Sequence, residues 1–446
     1  MVVPVPQPAP ASRRRAQVSL AADYAPTPLW SDDLAYPAGS AAPLPEAVDV
    51  LVVGAGYTGL SAARETALAG RSTLVLDAGP IGGGCSSRNG GQVAFSFKPE
   101  LAALGRRLGS ATASRLYREG FEAIAELKRL AQTPGVDCDW RDVGCFYGAH
   151  TVRDFERLRR AVDTQPAGLE VPIRVVPPEA LASETGSRLY KGGLVYPEDA
   201  ALHPLRLLAA IYERAAKAGA LVRGSCEVRG LEREGGGFLV HTAERAIRAR
   251  QVLIATNGYT GGLSPWHRRR VIPIGSYIIA TELLDPRLVA RLLPHGRNLV
   301  DTRHVVMYVR PSPDGRRVVF GGRAAAAETD PTTCVPRLKA MLVELFPELG
   351  RVAISRAWMG FVGYTFDTLP HLGSEAGLYY CLGYCGQGVP LATYYGRRIG
   401  LQMVGAQEGA TALDGLRFPT RPFYTGRPWF LPAVIVGYRI RDALGW

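Results

Sequence analysis

Val48-Asp-Val-Leu-Val-Val-Gly54-Ala-Gly-Tyr-Thr-Gly59-Leu-Ser-Ala-Ala-Arg-Glu-Thr-Ala-Leu-Ala69, continued by Gly-Arg-Ser72-Thr-Leu-Val-Leu-Asp77-Ala78, is the stretch that decides the fold. The run from Val48 to Val53 is apolar except for Asp49, the pattern of a strand buried on both faces. Thr58 to Ala69 carries a helical pattern, and Ser72 to Asp77 reads as a second strand, so the stretch is one βαβ unit. Gly54 permits the tight turn after the strand, Gly56 lets backbone approach a pyrophosphate, and Gly59 allows close helix-to-strand packing. The helix N-terminus offers amides and the positive end of a dipole to phosphate. Asp77 is placed to accept from a ribose, and Tyr57, Thr58 and Ala78 complete this first group of cofactor candidates.

Working outward, three later stretches favour FAD over NAD. The loop Gly84-Cys-Ser-Ser87-Arg88-Asn89-Gly90-Gly-Gln92 follows the ribose-binding strand and offers backbone amides and Arg88 to the inner part of the cofactor. Ile254-Ala-Thr256-Asn-Gly258 is a strand-end turn suited to closing over a nucleotide, with Val228 as a further contact on the strand side. Gly383-Tyr-Cys-Gly386-Gln387-Gly388-Val389 precedes a helix whose dipole suits negative charge on a reduced flavin. Only one such glycine fingerprint is visible, which argues against a separate NAD site.

The rest of the chain supplies helices over 99–132, 203–218, 335–345 and 392–404. It turns β-rich between Val271 and Gly322, which suggests an antiparallel sheet. The expected fold is α/β (α+β). A Rossmann-like FAD-binding domain is assembled from 29–95, 200–260 and 355–410, with an inserted antiparallel-sheet substrate domain from 96–199 and 261–354. Residues 1–28 are expected to form a flexible arm, not a signal peptide, and 411–446 a docking segment. The apolar Pro428-Trp-Phe-Leu-Pro-Ala-Val-Ile-Val-Gly-Tyr438 within that segment either packs on the protein's own surface or touches a membrane surface.

A formal charge of +12 over 446 residues raises the question of nucleic acid. The charge is scattered Arg interleaved with acids, with only five lysines, so no nucleic-acid partner is expected. Seven cysteines at irregular spacing fit neither a disulfide framework nor a metal set, and a reducing cytoplasm is the expected compartment.

These stretches, with His203-Pro204, Trp358-Met-Gly-Phe361 and Tyr438-Arg-Ile-Arg-Asp442, resemble the D-amino-acid oxidase superfamily. Within it the likeness is to the branch of gamma-glutamylputrescine oxidoreductases and related amine or amino-acid oxidases. The resemblance implies an FAD enzyme whose substrate sheet roofs the flavin ring. It also implies oxidation of a carbon beside nitrogen, giving an imine that hydrolyses. Relatives acting on α-amino acids often carry a carboxylate-clamping Arg where Val362 stands, which favours a small amine unless Arg310 or Arg323 substitutes. Phe361 and Arg88 lie near the places where relatives attach flavin, so non-covalent FAD is expected. No Lys occurs between Lys217 and Lys339 to activate oxygen, leaving oxygen or another acceptor open.

Tyr277, Tyr308 and Phe361, with Trp358, are the candidate catalytic and substrate residues, an aromatic enclosure that suits an amine. His203 is expected to cap its helix, and Asp367 to fix a turn. Two other functions compete: a membrane-surface dehydrogenase passing electrons to quinone or a protein partner, and an FAD-dependent protein that modifies or binds RNA. Nothing in the chain specifies an oligomeric state.

Overall fold

The computed structural model describes residues 19–94, 97–323 and 328–445. At its centre is a parallel sheet in which Leu378–Leu382, Ala246–Ile254, Ala47–Val53, Thr73–Leu76 and Leu221–Arg223 lie side by side. Ala47–Val53 is buried because helices cover the sheet, and its β-branched residues suit that setting. Helix Tyr57–Leu68 packs against helix Gly388–Met403 at unusually short range. A Cβ on Gly396 would come within 2.6 Å of Thr58 O, and one on Gly400 within 2.7 Å of Ala62 O. Glycine at those two places lets both helices begin at the same cavity.

The second sheet has nine strands, in the order Leu20–Ala25, Ile354–Tyr364, Ile272–Thr281, Val318–Gly322, Met307–Pro311, Asn298–Asp301, Cys145–Gly148, Gly193–Tyr196 and Arg174–Val176. It is mixed, not purely antiparallel: Leu20–Ala25 runs parallel to Ile354–Tyr364, and Asn298–Asp301 parallel to Cys145–Gly148.

Three boundaries differ from expectation. Ile354–Tyr364 pairs along its length with Ile272–Thr281, so it belongs to the nine-stranded sheet and not to the nucleotide unit. Helix Ser110–Ala131 belongs instead with the nucleotide unit. Tyr394 and Tyr395 donate to Glu122 and Glu119 at 2.9 and 3.1 Å, and Arg397 to Glu126 at 3.1 Å. The arm is shorter than 1–28, because Leu20–Ala25 is an edge strand and Trp30 is buried edge-on to Trp358 and His203. Its mostly solvated side chains hide that strand from pattern reading. Residues 1–18 lie outside the described residues. The C-terminal segment ends in helix Leu431–Leu444, whose Pro432 falls in the first turn, where no amide partner is lost. Among the described residues no helix is long and apolar enough to cross a membrane.

Candidate active site

A cavity of about 1380 Å³ is lined by both sheets. It exceeds the roughly 300–1000 Å³ of ordinary small-molecule sites. The βαβ unit builds its floor. Gly54 has φ +105°, and a Cβ there would meet Ala255 O at 2.9 Å, so only glycine fits the turn. A Cβ on Gly56 would fall 2.8 Å from Ser86 Oγ. Gly59 does not face the cavity. Its added Cβ would lie 1.9 Å from Gly54 O, and its task is the close seating of helix on strand.

The helix starts at Gly56 without a side-chain cap, and its first residues Tyr57 and Thr58 line the cavity. Its first amide, Tyr57 N–H, donates to Ser86 Oγ at 3.0 Å, and the following turn offers its amides and dipole to a phosphate. Asp77 Oδ2 accepts from Ala55 N–H at 2.9 Å and Oδ1 from Gly79 N–H at 3.1 Å. Each oxygen keeps a lone pair for a ribose hydroxyl. Burial raises the Asp77 pKa above the usual carboxylate value, against these backbone bonds. Ala78 and Val228 line the same end.

The loop after the second strand is tied down by its own side chains. Asn89 Nδ2 donates to Ser86 O at 2.9 Å while its Oδ1 accepts from Gly91 N–H at 2.8 Å. Gln92 Nε2 donates to Val309 O at 3.1 Å, fastening the loop to the roof. Arg88 lines the cavity, but Nε donates to Gly83 O at 2.7 Å and Nη1 to Met359 O at 3.3 Å, so its guanidinium chiefly braces the loop. Ser87 is not a cofactor contact: it is fully buried, with Oγ donating to Gly82 O at 2.8 Å.

Thr256 lines the cavity at the next turn, whereas Gly258 packs on Phe361, whose carbonyl oxygen would be 2.6 Å from an added Cβ. Asn257 Oδ1 accepts from Gly383 N–H at 2.9 Å and joins this turn to the last one. There Gly386, Gln387, Gly388 and Val389 line the cavity at the uncapped start of Gly388–Met403. Two helix N-termini thus face one space.

The roof corrects two of the three catalytic candidates. Strand alternation turns Ser276 and Ile278 towards the cavity and Tyr277 away from it. Tyr277 is fully buried in the core behind the sheet, where its hydroxyl accepts from Thr329 N–H at 2.9 Å and donates to Thr329 O at 3.2 Å. Phe361 likewise lies between cavity-facing Gly360 and Val362, packed edge-on to Tyr259 at 5.4 Å. Trp358 is buried too, its indole N–H donating to Arg88 O at 2.9 Å. Tyr308 lines the cavity. It lies above Gly90, where an added Cβ would be 3.2 Å from the ring, and its hydroxyl is 2.9 Å from Ser276 Oγ.

Arg310 is buried and donates to Leu202 O and Gly91 O at 2.7 and 2.9 Å, so it is no carboxylate clamp. Arg323 lines the cavity and donates to Gly275 O at 2.6 Å and Glu328 at 3.2 Å. His203 caps its helix by accepting from Arg206 N–H at 3.2 Å. Asp367 fixes its turn by accepting from Thr365 and His371, both at 3.0 Å.

Sequence reasoning missed several cavity residues. Lys98 lines it, with an ammonium pKa held below the ordinary value by the surrounding protein. Tyr364, Tyr147, Tyr196 and Asp199 also line it, as do Leu431, Ile435 and Tyr438 of the C-terminal helix. Only strand register and tertiary closure bring these together. Among the described residues no group of three or more His, Cys, Asp or Glu is placed to hold a metal ion.

The glycine cradle, the Asp77 carboxylate and the two open helix ends fit a flavin dinucleotide. The comparisons agree. A probable oxidoreductase OrdL of Rhizobium meliloti (strain 1021) is 31% identical over 399 residues, 88% of this chain and 92% of that protein. Gamma-glutamylputrescine oxidoreductase of Escherichia coli (strain K12) is 30% identical over 402 residues, 89% of this chain and 93% of that one. L-proline dehydrogenase from P. horikoshii superposes with a TM-score of 0.68 at 18% identity, covering 88% of this chain and 99% of that structure, a likeness of fold. The family of FAD-dependent oxidoreductases known as DAO matches residues 49–400, and the chain belongs to that family.

Proposed function

We propose that this protein oxidises the C–N bond of a small amine, with FAD held non-covalently. The observation that carries the reading is the wall facing the glycine cradle: Ile274, Ile278, Tyr308, Val362 and Tyr364 make it aliphatic and aromatic. Of the two arginines that could clamp a carboxylate, Arg310 is committed to backbone carbonyls and Arg323 donates to Gly275 O and to Glu328. The gamma-glutamylputrescine oxidoreductase relative agrees with an amine substrate.

Bound FAD supplies the hydride acceptor. The protein's part is placement and exclusion of water. The apolar roof disfavours the charged ammonium and so favours the unprotonated amine, whose lone pair assists loss of hydride from the neighbouring carbon. The nitrogen loses a proton, the imine takes up water, and the C–N bond breaks to a carbonyl compound and a freed amine or ammonia. Tyr308 and Ser276, whose hydroxyls lie 2.9 Å apart on the roof, orient the substrate. Burial pushes the cavity-lining Cys85 thiol up to about 11, which keeps it protonated and unsuited to attach a flavin.

The test is an anaerobic screen of the yellow holoenzyme against polyamines, cyclic imino acids, N-methylated amino acids and γ-glutamylated amines. An amine that bleaches the flavin and yields a carbonyl product supports the reading; bleaching by none of them contradicts it. FAD released into the supernatant on heating supports non-covalent binding, and flavin retained on the precipitated chain contradicts it.

A second reading has its own observation. Helix Leu431–Leu444 leaves Ile440 and Leu444 about half exposed, and Trp429, just ahead of it, is exposed as well. This apolar surface suits a dehydrogenase docked on a membrane and passing electrons to quinone. Rapid reoxidation of the reduced flavin by oxygen in stopped flow counts against it.

A further inference from the structure

The far end of the cavity holds three polar groups that the hydride chemistry does not use. Tyr147 and Tyr196 stand on the neighbouring strands Cys145–Gly148 and Gly193–Tyr196, and Asp199 follows in the turn that leads to Ala200. All three line the cavity. Among the described residues no donor pairs with the Asp199 carboxylate; only its main-chain oxygen is used, accepting from Gly144 N–H at 2.8 Å. Asp199 is part-buried and lines the cavity, where its carboxylate offers a counter-charge to a cationic ligand. Burial and the charge of neighbouring Glu198 push its pKa up to about 7, and burial raises the hydroxyls of Tyr147 and Tyr196 to about 12 and well above the ordinary value, so both stay neutral.

Register places this group relative to the reaction. Val300 pairs with Tyr308 on one side and with Tyr147 on the other. Two strand spacings therefore separate Tyr147 from Tyr308, about 10 Å. The geometry points to a distal ammonium subsite, in which Asp199 supplies the counter-charge and Tyr147 and Tyr196 the ring faces and hydroxyls, for a substrate carrying a second cationic nitrogen remote from the oxidised C–N bond. The inference rests on the amine-oxidising reading and deepens it: the substrate class is a diamine or polyamine, not a monoamine. Its second nitrogen is held charged at Asp199 while the first sits under the apolar roof, where the neutral form is favoured. One cavity thus separates two amines by their protonation state.

The experiment uses the FAD-loaded holoenzyme with spermidine, cadaverine and n-hexylamine, first by calorimetry on the oxidised protein and then by anaerobic flavin reduction. Spermidine and cadaverine are expected to bind roughly tenfold or more tightly than n-hexylamine. Asp199→Asn brings the three close together, and Asp199→Glu restores part of the preference. Should Asp199→Asn fail to retain FAD, Tyr196→Phe is expected to lower the same ratio severalfold. Equal binding of mono- and diamines by the wild type, or a ratio unchanged in Asp199→Asn, overturns the subsite. Absence of flavin reduction by every amine overturns the C–N reading instead, and the calorimetric ratio still decides Asp199.

Discussion

Asp442 accepts hydrogen bonds from His304 twice, from its backbone N–H and from Nδ1, both at 2.8 Å, and a third from Val305 N–H at 3.0 Å. An acid in the last turn opposes the helix dipole, so its place there is explained by this tie. The tie holds helix Leu431–Leu444 over the cavity, with the Tyr438 ring stacked on His304 at 5.3 Å. Asp442→Ala leaves these donors unmet and is expected to weaken docking of the helix by about 1–3 kcal/mol. Hydrogen exchange in 431–444 then quickens roughly tenfold or more. Unchanged exchange would mean that the apolar contacts of Leu431 and Ile435 suffice.

Gly59→Ala drives a methyl group into Gly54 O, a backbone atom that cannot step aside. The expected outcome is a chain destabilised by about 1–3 kcal/mol, purified with much less FAD. Gly350→Ala, whose Cβ meets nothing within 4 Å, is the control and stays within about 0.5 kcal/mol. The ratio of flavin to protein absorbance and the melting temperature together check both.

Tyr277 and Tyr308 separate structure from chemistry. Tyr277→Phe loses the bonds to Thr329 behind the sheet, costs about 1 kcal/mol of stability, and leaves the anaerobic reduction rate unchanged. Tyr308→Phe removes the hydroxyl next to Ser276 Oγ inside the cavity and slows reduction or weakens amine binding several-fold. The reverse pattern would place the roof the wrong way up.

The βαβ unit and the late Gly-Gln-Gly turn were legible because each glycine answers a local backbone demand, and locality is what sequence encodes most directly. The face of Tyr277 was not. Its strand, Ile272-Pro-Ile-Gly-Ser-Tyr-Ile-Ile-Ala-Thr281, is apolar on both sides, so alternation gives no parity until pairing with Ile354–Tyr364 sets it. Motif membership alone makes Ser87 and Gly258 look like cofactor contacts, yet Ser87 closes its own loop and Gly258 seats its turn on Phe361. The Asp199 group was invisible for another reason. Tyr147 and Asp199 are far apart in the chain and meet only through strand pairing.

Asp199 gives the pH dependence a sign. With its pKa pushed up to about 7 by burial and Glu198, the carboxyl is neutral below that pH and offers an ammonium no charge. Spermidine affinity should therefore rise between about pH 6 and pH 8, more steeply than that of n-hexylamine. Stability runs the other way. The folded pKa lies above the unfolded one, so ionising Asp199 costs stability progressively as pH climbs from about 4 through 7. Without ligand, Asp199→Asn should melt higher than wild type at pH 8 and nearly equally at pH 4, and a wild-type advantage at pH 8 would contradict the assignment.

The most direct measurement is anaerobic stopped-flow mixing of the FAD-loaded protein with spermidine, against spermidine deuterated at the carbons beside nitrogen. The flavin's visible absorbance is expected to be lost at a rate that falls several-fold on deuteration, because breaking that C–H bond transfers the hydride. A flavin left oxidised by this and every other amine, or reduced at a rate set by a bond away from nitrogen, would contradict it.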